Sequence, residues 1–98
     1  MALDADTGQL KWHYQHVSND QWDLDWAFER TLTTMKVGGK DRRVVMNVGK
    51  MGILDALDAK TGKPIPSFGA GGRISHKDGF DRDVFYFRVG NNSPGIVW

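Results

Sequence analysis

The 98-residue sequence predicts an all-β fold of antiparallel sheets. Short segments of alternating apolar and polar residues are bounded by Gly and Asp turn signals, a pattern typical of β-hairpins. The four Trp residues also favour β structure. The string Ala-Leu-Asp-Ala-x-Thr-Gly begins at Ala2 and returns 54 positions later at Ala56. Repetition at a period near fifty indicates a propeller or a similar array in which each unit is one small antiparallel sheet. The chain is expected to contain antiparallel β-propeller blades and to be part of a propeller.

The first predicted element is a hairpin. A turn at residues 4–8 separates a short apolar segment from a strand in which Leu10, Trp12 and Tyr14 occupy alternate positions. The Asp side chain can accept hydrogen bonds from amides of the turn, and Gly8 can take the positive φ that closes it.

Three further strands are predicted between the two repeats. Residues 26–36 are long enough for a helix, but the threonines at positions 31, 33 and 34 favour a strand. A glycine turn at residues 37–41 joins this strand to a second one over residues 42–48. The third strand covers residues 51–57.

The sequence divides into two regions. Residues 1–63 form the predicted blade region, which contains the repeated turns and the candidate site. Residues 64–98 begin with a loop rich in Pro and Gly and continue as a partial following blade, with strands expected at 84–89 and 95–98.

Within residues 19–26, acidic and apolar side chains alternate for five residues, from Trp22 to Trp26. In an extended strand Asp23 and Asp25 would share one face, while Trp22 and Leu24 would be buried on the other. Two carboxylates roughly 7 Å apart on a pleated face can converge on a hard cation, or one can bind metal while the other accepts a proton. The alternative is an ordinary half-buried strand with a solvated acidic face.

Composition excludes several classes of protein. Thirteen basic and twelve acidic residues give a net charge of +1 without a long basic run, so no nucleic-acid partner is predicted. The absence of Cys excludes disulfides and thiolate metal sites. No apolar run reaches the length of a membrane span, and residues 1–4 have no signal-peptide features. We expect the chain to be a piece of a longer protein.

Three motifs in a fixed order resemble the quinoprotein alcohol dehydrogenases, a family of eight-bladed propellers built around pyrroloquinoline quinone (PQQ). Residues 2–12 read Ala-x-Asp-x-x-x-Gly-x-x-x-Trp, which resembles the family's tryptophan docking motif. The pair Trp22 and Asp23 follows, and a Lys-x-Gly motif comes a little under thirty residues later at residues 50–52. The resemblance spans about residues 2–63.

The resemblance implies roles for three residues. Asp23 matches the proposed catalytic base, which would remove the hydroxyl proton of the substrate. Asp23 and Asp25 would bind the metal ion, a lanthanide or calcium, that polarises the quinone carbonyl. Asp25 stands where lanthanide-dependent members carry an additional Asp. Lys50 would bind the cofactor by donating to the quinone oxygens, although its spacing alone fits a solvated turn lysine equally well.

The implied function is oxidation of an alcohol or sugar by hydride transfer to PQQ. The family's ring-stacking Trp and its Glu and Asn metal ligands have no match in this chain, so we expect the chain to be inactive in isolation. The expected partners are a small alcohol and either the rest of the propeller or a second copy of this chain, in the periplasm. The alternative is a non-catalytic propeller piece that acts through protein contacts, resembling the barrel-assembly lipoproteins.

Trp12 and the three His residues are interpreted as structural. Trp12 is expected to pack between blades rather than to contact the cofactor. The second repeat has Pro66 where the docking Trp would stand. His13, His16 and His76 lack the spacing of a metal site and are expected to be surface or packing residues.

Overall fold

The computed structural model describes residues 1–76, which form two antiparallel sheets. A hairpin pairs the first two strands, and a four-stranded sheet has the order β3-β4-β5-β6. The strands are β1 (Ala2–Leu3), β2 (Leu10–Trp12), β3 (Thr31–Val37), β4 (Lys40–Val48), β5 (Ile53–Asp58) and β6 (Arg73–Ser75). The described residues contain no helix, and therefore none that could cross a membrane. The all-β prediction is confirmed.

The glycines at the tip of the β3–β4 hairpin fix its register. Gly38 and Gly39 both have positive φ, 60° and 79°, as a tight two-residue turn requires. Val37 therefore pairs with Lys40, and the ladder continues from there to the pair Thr31–Met46. The strand predicted for residues 26–36 begins only at Thr31, because the preceding residues form a loop.

The core lies on one face of the four-stranded sheet. Val44 and Ala56 are fully buried there, and Ile65 from the segment after β5 covers them at 1% exposure. The partly buried residues around them are Met35, Val37, Met46 and Phe68. The opposite face looks toward the β1–β2 hairpin. A cavity of about 320 Å³ lies between them, lined by residues that include Leu32, Val45 and Trp12.

The two repeats fold into the same turn. Asp4 Oδ1 accepts hydrogen bonds from the amides two and three residues later, both at 3.0 Å. Asp58 Oδ1 does the same at 2.9 and 3.1 Å. Gly8 and Gly62 close the two turns with φ of 72° and 70°. The predicted turn chemistry is confirmed at both places, although an isolated bridge between Leu57 and Pro64 replaces a full returning strand after the second turn.

Trp12 connects the hairpin to the second turn. Its indole N–H donates to the carbonyl of Ala59 at 3.0 Å. Its ring covers Gly62 so closely that a Cβ there would clash with Trp12 Cε3 and Cδ2. The interpretation of Trp12 as a packing residue is confirmed.

The fourth strand of the sheet was not predicted. β6 pairs with β5, with Arg73 opposite Asp55, although this part of the sequence reads as a Pro- and Gly-rich loop. The division between residues 1–63 and 64–98 stays a prediction, and β6 shows that the second region contributes to the sheet of the first. The strands predicted at 84–89 and 95–98 lie outside the described residues.

Candidate functional site

The candidate site lies in a loop rather than on a strand. Residues 19–30 have no regular secondary structure, so the extended strand predicted for this stretch is wrong. Asp23 has a φ of 56°, in the left-handed region, which breaks the alternation of faces. Trp22 is consequently 80% exposed instead of buried, and Leu24 is half-buried.

Asp20 organises the loop. Its Oδ1 accepts a hydrogen bond from the amide of Trp22 at 2.9 Å, and its Oδ2 accepts one from the amide of Leu24 at 2.8 Å. Such local bonds from an Asp side chain compete with strand pairing. Asp23 lies between the two bonded amides, and Asp tolerates the left-handed conformation better than most residues do. A folded loop therefore replaces the strand.

The loop brings the three predicted site residues together. The ammonium group of Lys50, in the turn between β4 and β5, lies 2.7 Å from Asp25 Oδ2 and 3.5 Å from Asp23 Oδ2. The backbone reinforces this arrangement, because the amide of Lys50 donates to the carbonyl of Asp25 at 3.0 Å. The two carboxylates thus converge on the ammonium group of Lys50. This contact was not predicted, because Lys50 was expected to donate to the quinone oxygens and the carboxylates to bind a metal ion.

The contact between Asp25 and Lys50 shifts the pKa of both groups. The pKa of Asp25 lies below its ordinary value chiefly because Lys50 donates a hydrogen bond to its carboxylate, and Asp23 adds a smaller effect in the same direction. The pKa of Lys50 is raised, mainly because Asp25 accepts that bond. The side chains of Asp25 and Lys50 are 44% and 45% exposed, and that of Asp23 is 82% exposed. The cluster is therefore open to solvent and sensitive to salt.

The cluster fits one side of a site for a hard cation. Two carboxylates provide the oxygen donors that such ions prefer, and the Lys50 ammonium already occupies the space between them as a cation. Residues 1–76 include no group of three or more His, Asp or Glu side chains placed to hold a metal. Further ligands would have to come from other parts of the protein.

A second cluster, of charged and polar side chains, supports the loop. His16 Nδ1 lies 2.7 Å from Oδ2 of Asp55, a carboxylate that is only 1% exposed. Arg73 donates through Nη2 to the same oxygen at 3.1 Å and to the carbonyl of His16 at 2.7 Å. Its Nε is 2.6 Å from Asp55 Oδ1, an ion contact in which the N–H is not aligned for a hydrogen bond. We refer to His16, Asp55 and Arg73 as the anchor cluster.

The anchor cluster holds Trp26, which follows Asp25 directly. The rings of Trp26 and His16 are stacked, with centroids 4.1 Å apart and planes 4° from parallel. Trp26 also packs against Gly49, where an added Cβ would lie 2.5 Å from ring atom Cε2. The expectation that His16 is a packing residue is confirmed, and the structure adds its hydrogen bond with Asp55.

Sequence reasoning missed Asp20, Trp26, Asp55 and Arg73. One signal was available for Asp55, because a charged residue stands among the apolar residues of β5 and a buried charge needs a partner. The partners could not be identified, since His16 and Arg73 are 39 and 18 positions away along the chain.

Comparison with known proteins identifies a protein family that this chain matches. The model for the β-propeller domain of PQQ glucose, ethanol and alcohol dehydrogenases matches residues 1–54, a range that contains Asp23, Asp25 and Lys50. The chain is 41% identical over 63 residues to the quinohemoprotein alcohol dehydrogenase of Comamonas testosteroni, covering 64% of this chain and 9% of that protein.

Two other relatives have similar matches. The quinoprotein alcohol dehydrogenase PedH of Pseudomonas putida is 34% identical over 83 residues, or 85% of this chain and 14% of that protein. The lupanine 17-hydroxylase of a Pseudomonas species is 43% identical over 63 residues, or 64% of this chain and 9% of that protein. No solved structure matches. The chain thus spans only a small part of the length of these relatives.

Proposed function

Because the chain belongs to the β-propeller family of PQQ-dependent glucose, ethanol and alcohol dehydrogenases, we propose that it is part of an enzyme that oxidises alcohols or sugars by hydride transfer to PQQ. The observation that carries this proposal is the convergence of Asp23 and Asp25 on Lys50. The loop of residues 19–30, the β4–β5 turn and the left-handed backbone of Asp23 together bring these three charges close to one another. A blade with a purely structural role would not require this arrangement.

The geometry supports different roles for the two carboxylates. Asp25 is held by the contact of its carboxylate with the Lys50 ammonium group and by the hydrogen bond from the Lys50 amide to its carbonyl. We therefore assign Asp25 as the fixed ligand of the metal ion. Asp23 is more exposed and lies farther from Lys50, which leaves its carboxylate able to face a substrate hydroxyl. We assign Asp23 as the base that accepts the hydroxyl proton, with one oxygen also available to the metal.

A bound metal ion would act as a Lewis acid toward the quinone carbonyl. Asp23 and Asp25 would hold this ion, which is a lanthanide rather than calcium in our proposal, because the second carboxylate helps to balance a trivalent charge. Lys50 would then turn its ammonium group from the carboxylates toward the quinone oxygens. Its half-exposed side chain leaves room for that movement.

The substrate class remains broad in this proposal. The relatives named above include two alcohol dehydrogenases and a lupanine hydroxylase, so the family match does not select one substrate. We place the enzyme in the periplasm, with the remaining propeller blades as the partner that completes the site. The 98-residue chain alone is then expected to show no turnover.

Dye-linked alcohol oxidation by the complete enzyme, supplied with PQQ and either La³⁺ or Ca²⁺, tests the proposal. Asp23→Asn should lower kcat by a factor of about 10²–10⁴, the usual contribution of a general base, while PQQ absorbance shows that the cofactor is still bound. Asp25→Ala should weaken activity with La³⁺ more than activity with Ca²⁺. Asp41→Asn, at an exposed position near the start of β4, is the control.

Unchanged kcat in Asp23→Asn would show that another group removes the proton. Equal activity with both ions in the unmodified enzyme would contradict the role given to Asp25. Turnover by the isolated chain would show that the site is complete without the rest of the propeller. Full activity in every variant would favour the alternative function, in which this part of the propeller takes no part in catalysis.

A further inference from the structure

We infer that Trp26 is a positioning residue, which the anchor cluster and Gly49 hold in place so that Asp25 stays beside Lys50. Neither the motifs nor the family match assigns Trp26 a role. The inference about positioning stands on the geometry alone. Its consequence for metal binding rests on the proposed function.

The anchor cluster is a rigid support for the Trp26 ring. Asp55 is almost completely buried, so its charge must stay paired with His16 and Arg73. The near-parallel stack of Trp26 on His16 joins the ring to this pair. The guanidinium carbon of Arg73 lies 6.0 Å from the Trp26 ring centroid, which adds a weak cation–π attraction.

Gly49 links the Trp26 ring to Lys50. The ring packs against Gly49 so closely that even a methyl group there would displace it. The next residue, Lys50, donates its amide to the carbonyl of Asp25, the residue before Trp26. Two adjacent residues of the loop therefore contact two adjacent residues of the β4–β5 turn. A movement of the ring would be transmitted directly to the bond between Asp25 and Lys50.

Other supports of the loop act elsewhere. The hydrogen bonds to the Asp20 carboxylate end at Leu24. At the far end, the amide group of Asn47 donates to the carbonyls of Phe28 and Glu29, at 2.9 and 3.4 Å. Between Leu24 and Phe28, Asp25 and Trp26 connect the loop to the β4–β5 turn and to His16.

Amide hydrogen exchange of the 98-residue chain, read by NMR, tests the inference without PQQ or a metal. Trp26→Ala and Gly49→Ala disrupt the contact between the ring and Gly49 from opposite partners, the first by removing the ring and the second by displacing it. Both leave the three residues of the anchor cluster unchanged. Both should accelerate exchange of the Lys50 amide by roughly 10-fold or more, as expected for a locally opened bond. Trp26→Phe, which keeps a ring for stacking, should restore most of the protection. The exposed His13→Ala is the matched control for His16→Ala, which should behave like Trp26→Ala.

The amides of the β3–β4 ladder distinguish positioning from general destabilisation. They should keep their exchange rates in Trp26→Ala and Gly49→Ala. Equal acceleration at all of these amides would show that Trp26 acts only through stability and would overturn the inference. An unchanged Lys50 amide in both variants would overturn it as well.

Titration with Tb³⁺, followed by its luminescence, tests the consequence for metal binding. Trp26→Ala and Gly49→Ala should weaken Tb³⁺ binding by roughly 10-fold, the lower end of the effect of residues that orient metal ligands. Unchanged affinity in both would contradict the positioning role. If the unmodified chain binds no Tb³⁺, as the incomplete set of ligands within residues 1–76 allows, hydrogen exchange alone decides the inference.

Discussion

Asp55 and Arg73 form an ion pair in which the carboxylate is buried and the Arg73 side chain is 37% exposed. Burial determines what such a pair contributes to stability. The carboxylate of Asp55 is 1% exposed and has given up its hydration, so it depends on Arg73 and His16 for compensation. Lys36 and Asp41 form a pair that is 77% and 66% exposed. Water and salt can replace that contact at little cost.

Removing the positive partner should therefore have opposite consequences at the two places. Arg73→Met is expected to lower the free energy of unfolding by about 3 kcal/mol, because it leaves a buried charge with one partner only. Lys36→Met should change the same quantity by less than about 0.5 kcal/mol. Urea denaturation of both variants measures the difference. Similar small losses in the two variants would mean that Asp55 is hydrated in solution.

The same residues show how far sequence reasoning reaches at a site. Asp23, Asp25 and Lys50 were predicted as site residues from the order of motifs along the chain, and the structure places their side chains together. Their geometry could not be derived, because the hydrogen bonds to Asp20 override the alternation that favours a strand. The partners of Asp55 were also beyond prediction, since the sheet and the loop must both be formed before they meet.

The two repeated turns have the same internal hydrogen bonds but differ in what packs against their glycines. A Cβ added at Gly8 would meet no other residue of the described range 1–76 within 4 Å, whereas the same position at Gly62 is covered by the ring of Trp12. Both glycines have a positive φ near 70°. The second turn is thus a docking surface for the first hairpin, and its glycine serves both the turn and the contact.

Alanine substitution separates these two requirements. Gly8→Ala should cost about 1 kcal/mol of unfolding free energy, from the left-handed backbone alone. Gly62→Ala should cost about 3 kcal/mol, since it adds displacement of a packed ring to the same strain. Thermal or urea unfolding of both variants gives the comparison. Equal losses would show that Trp12 does not rest on Gly62 in solution.

Strands and turns were predictable where local chemistry decides them. The paired glycines fix the β3–β4 hairpin, and the Asp-x-x-Thr-Gly sequence fixes both repeated turns. β6 was missed because its three residues have little pattern of their own and follow a segment rich in Pro and Gly. Its position depends on pairing with β5, which only the folded sheet provides.

The chain as a whole exposes surfaces that a complete propeller would be expected to cover. Leu3, Leu10 and Leu32 are each more than half exposed. Leu32 also lines the cavity between the sheet and the hairpin. Within residues 1–76, β3 and β6 are the outer strands of the four-stranded sheet. Unpaired strand edges promote association between chains.

We therefore predict weak stability and concentration-dependent self-association of the isolated chain. Sedimentation velocity over a range of concentrations should show a rising weight-average sedimentation coefficient. Leu32→Lys should reduce this rise, since it removes apolar surface and adds charge. Thr34→Lys, which adds the same charge to an exposed position on the same face of β3, should reduce it less. A constant monomeric value together with a sharp unfolding transition would contradict the prediction.

The pKa of Asp25 is the most direct test of whether Asp25 and Lys50 form one site. Carbon-detected NMR titration of the 98-residue chain should give a pKa below the ordinary Asp value of 3.8, and Lys50→Met should bring it back up. Because the folded pKa is depressed, the pair stabilises the fold above the unfolded pKa, and this contribution is lost as the pH falls through the folded pKa.

Lys11→Met is the matched control in this titration. Lys11 pairs with Asp4 at 3.1 Å in the first turn and lowers the pKa of that carboxyl instead. The variant should raise the pKa of Asp4 and leave that of Asp25 unchanged. An ordinary pKa for Asp25 in the unmodified chain, or a depressed pKa that persists in Lys50→Met, would show that the loop does not hold Asp25 beside Lys50.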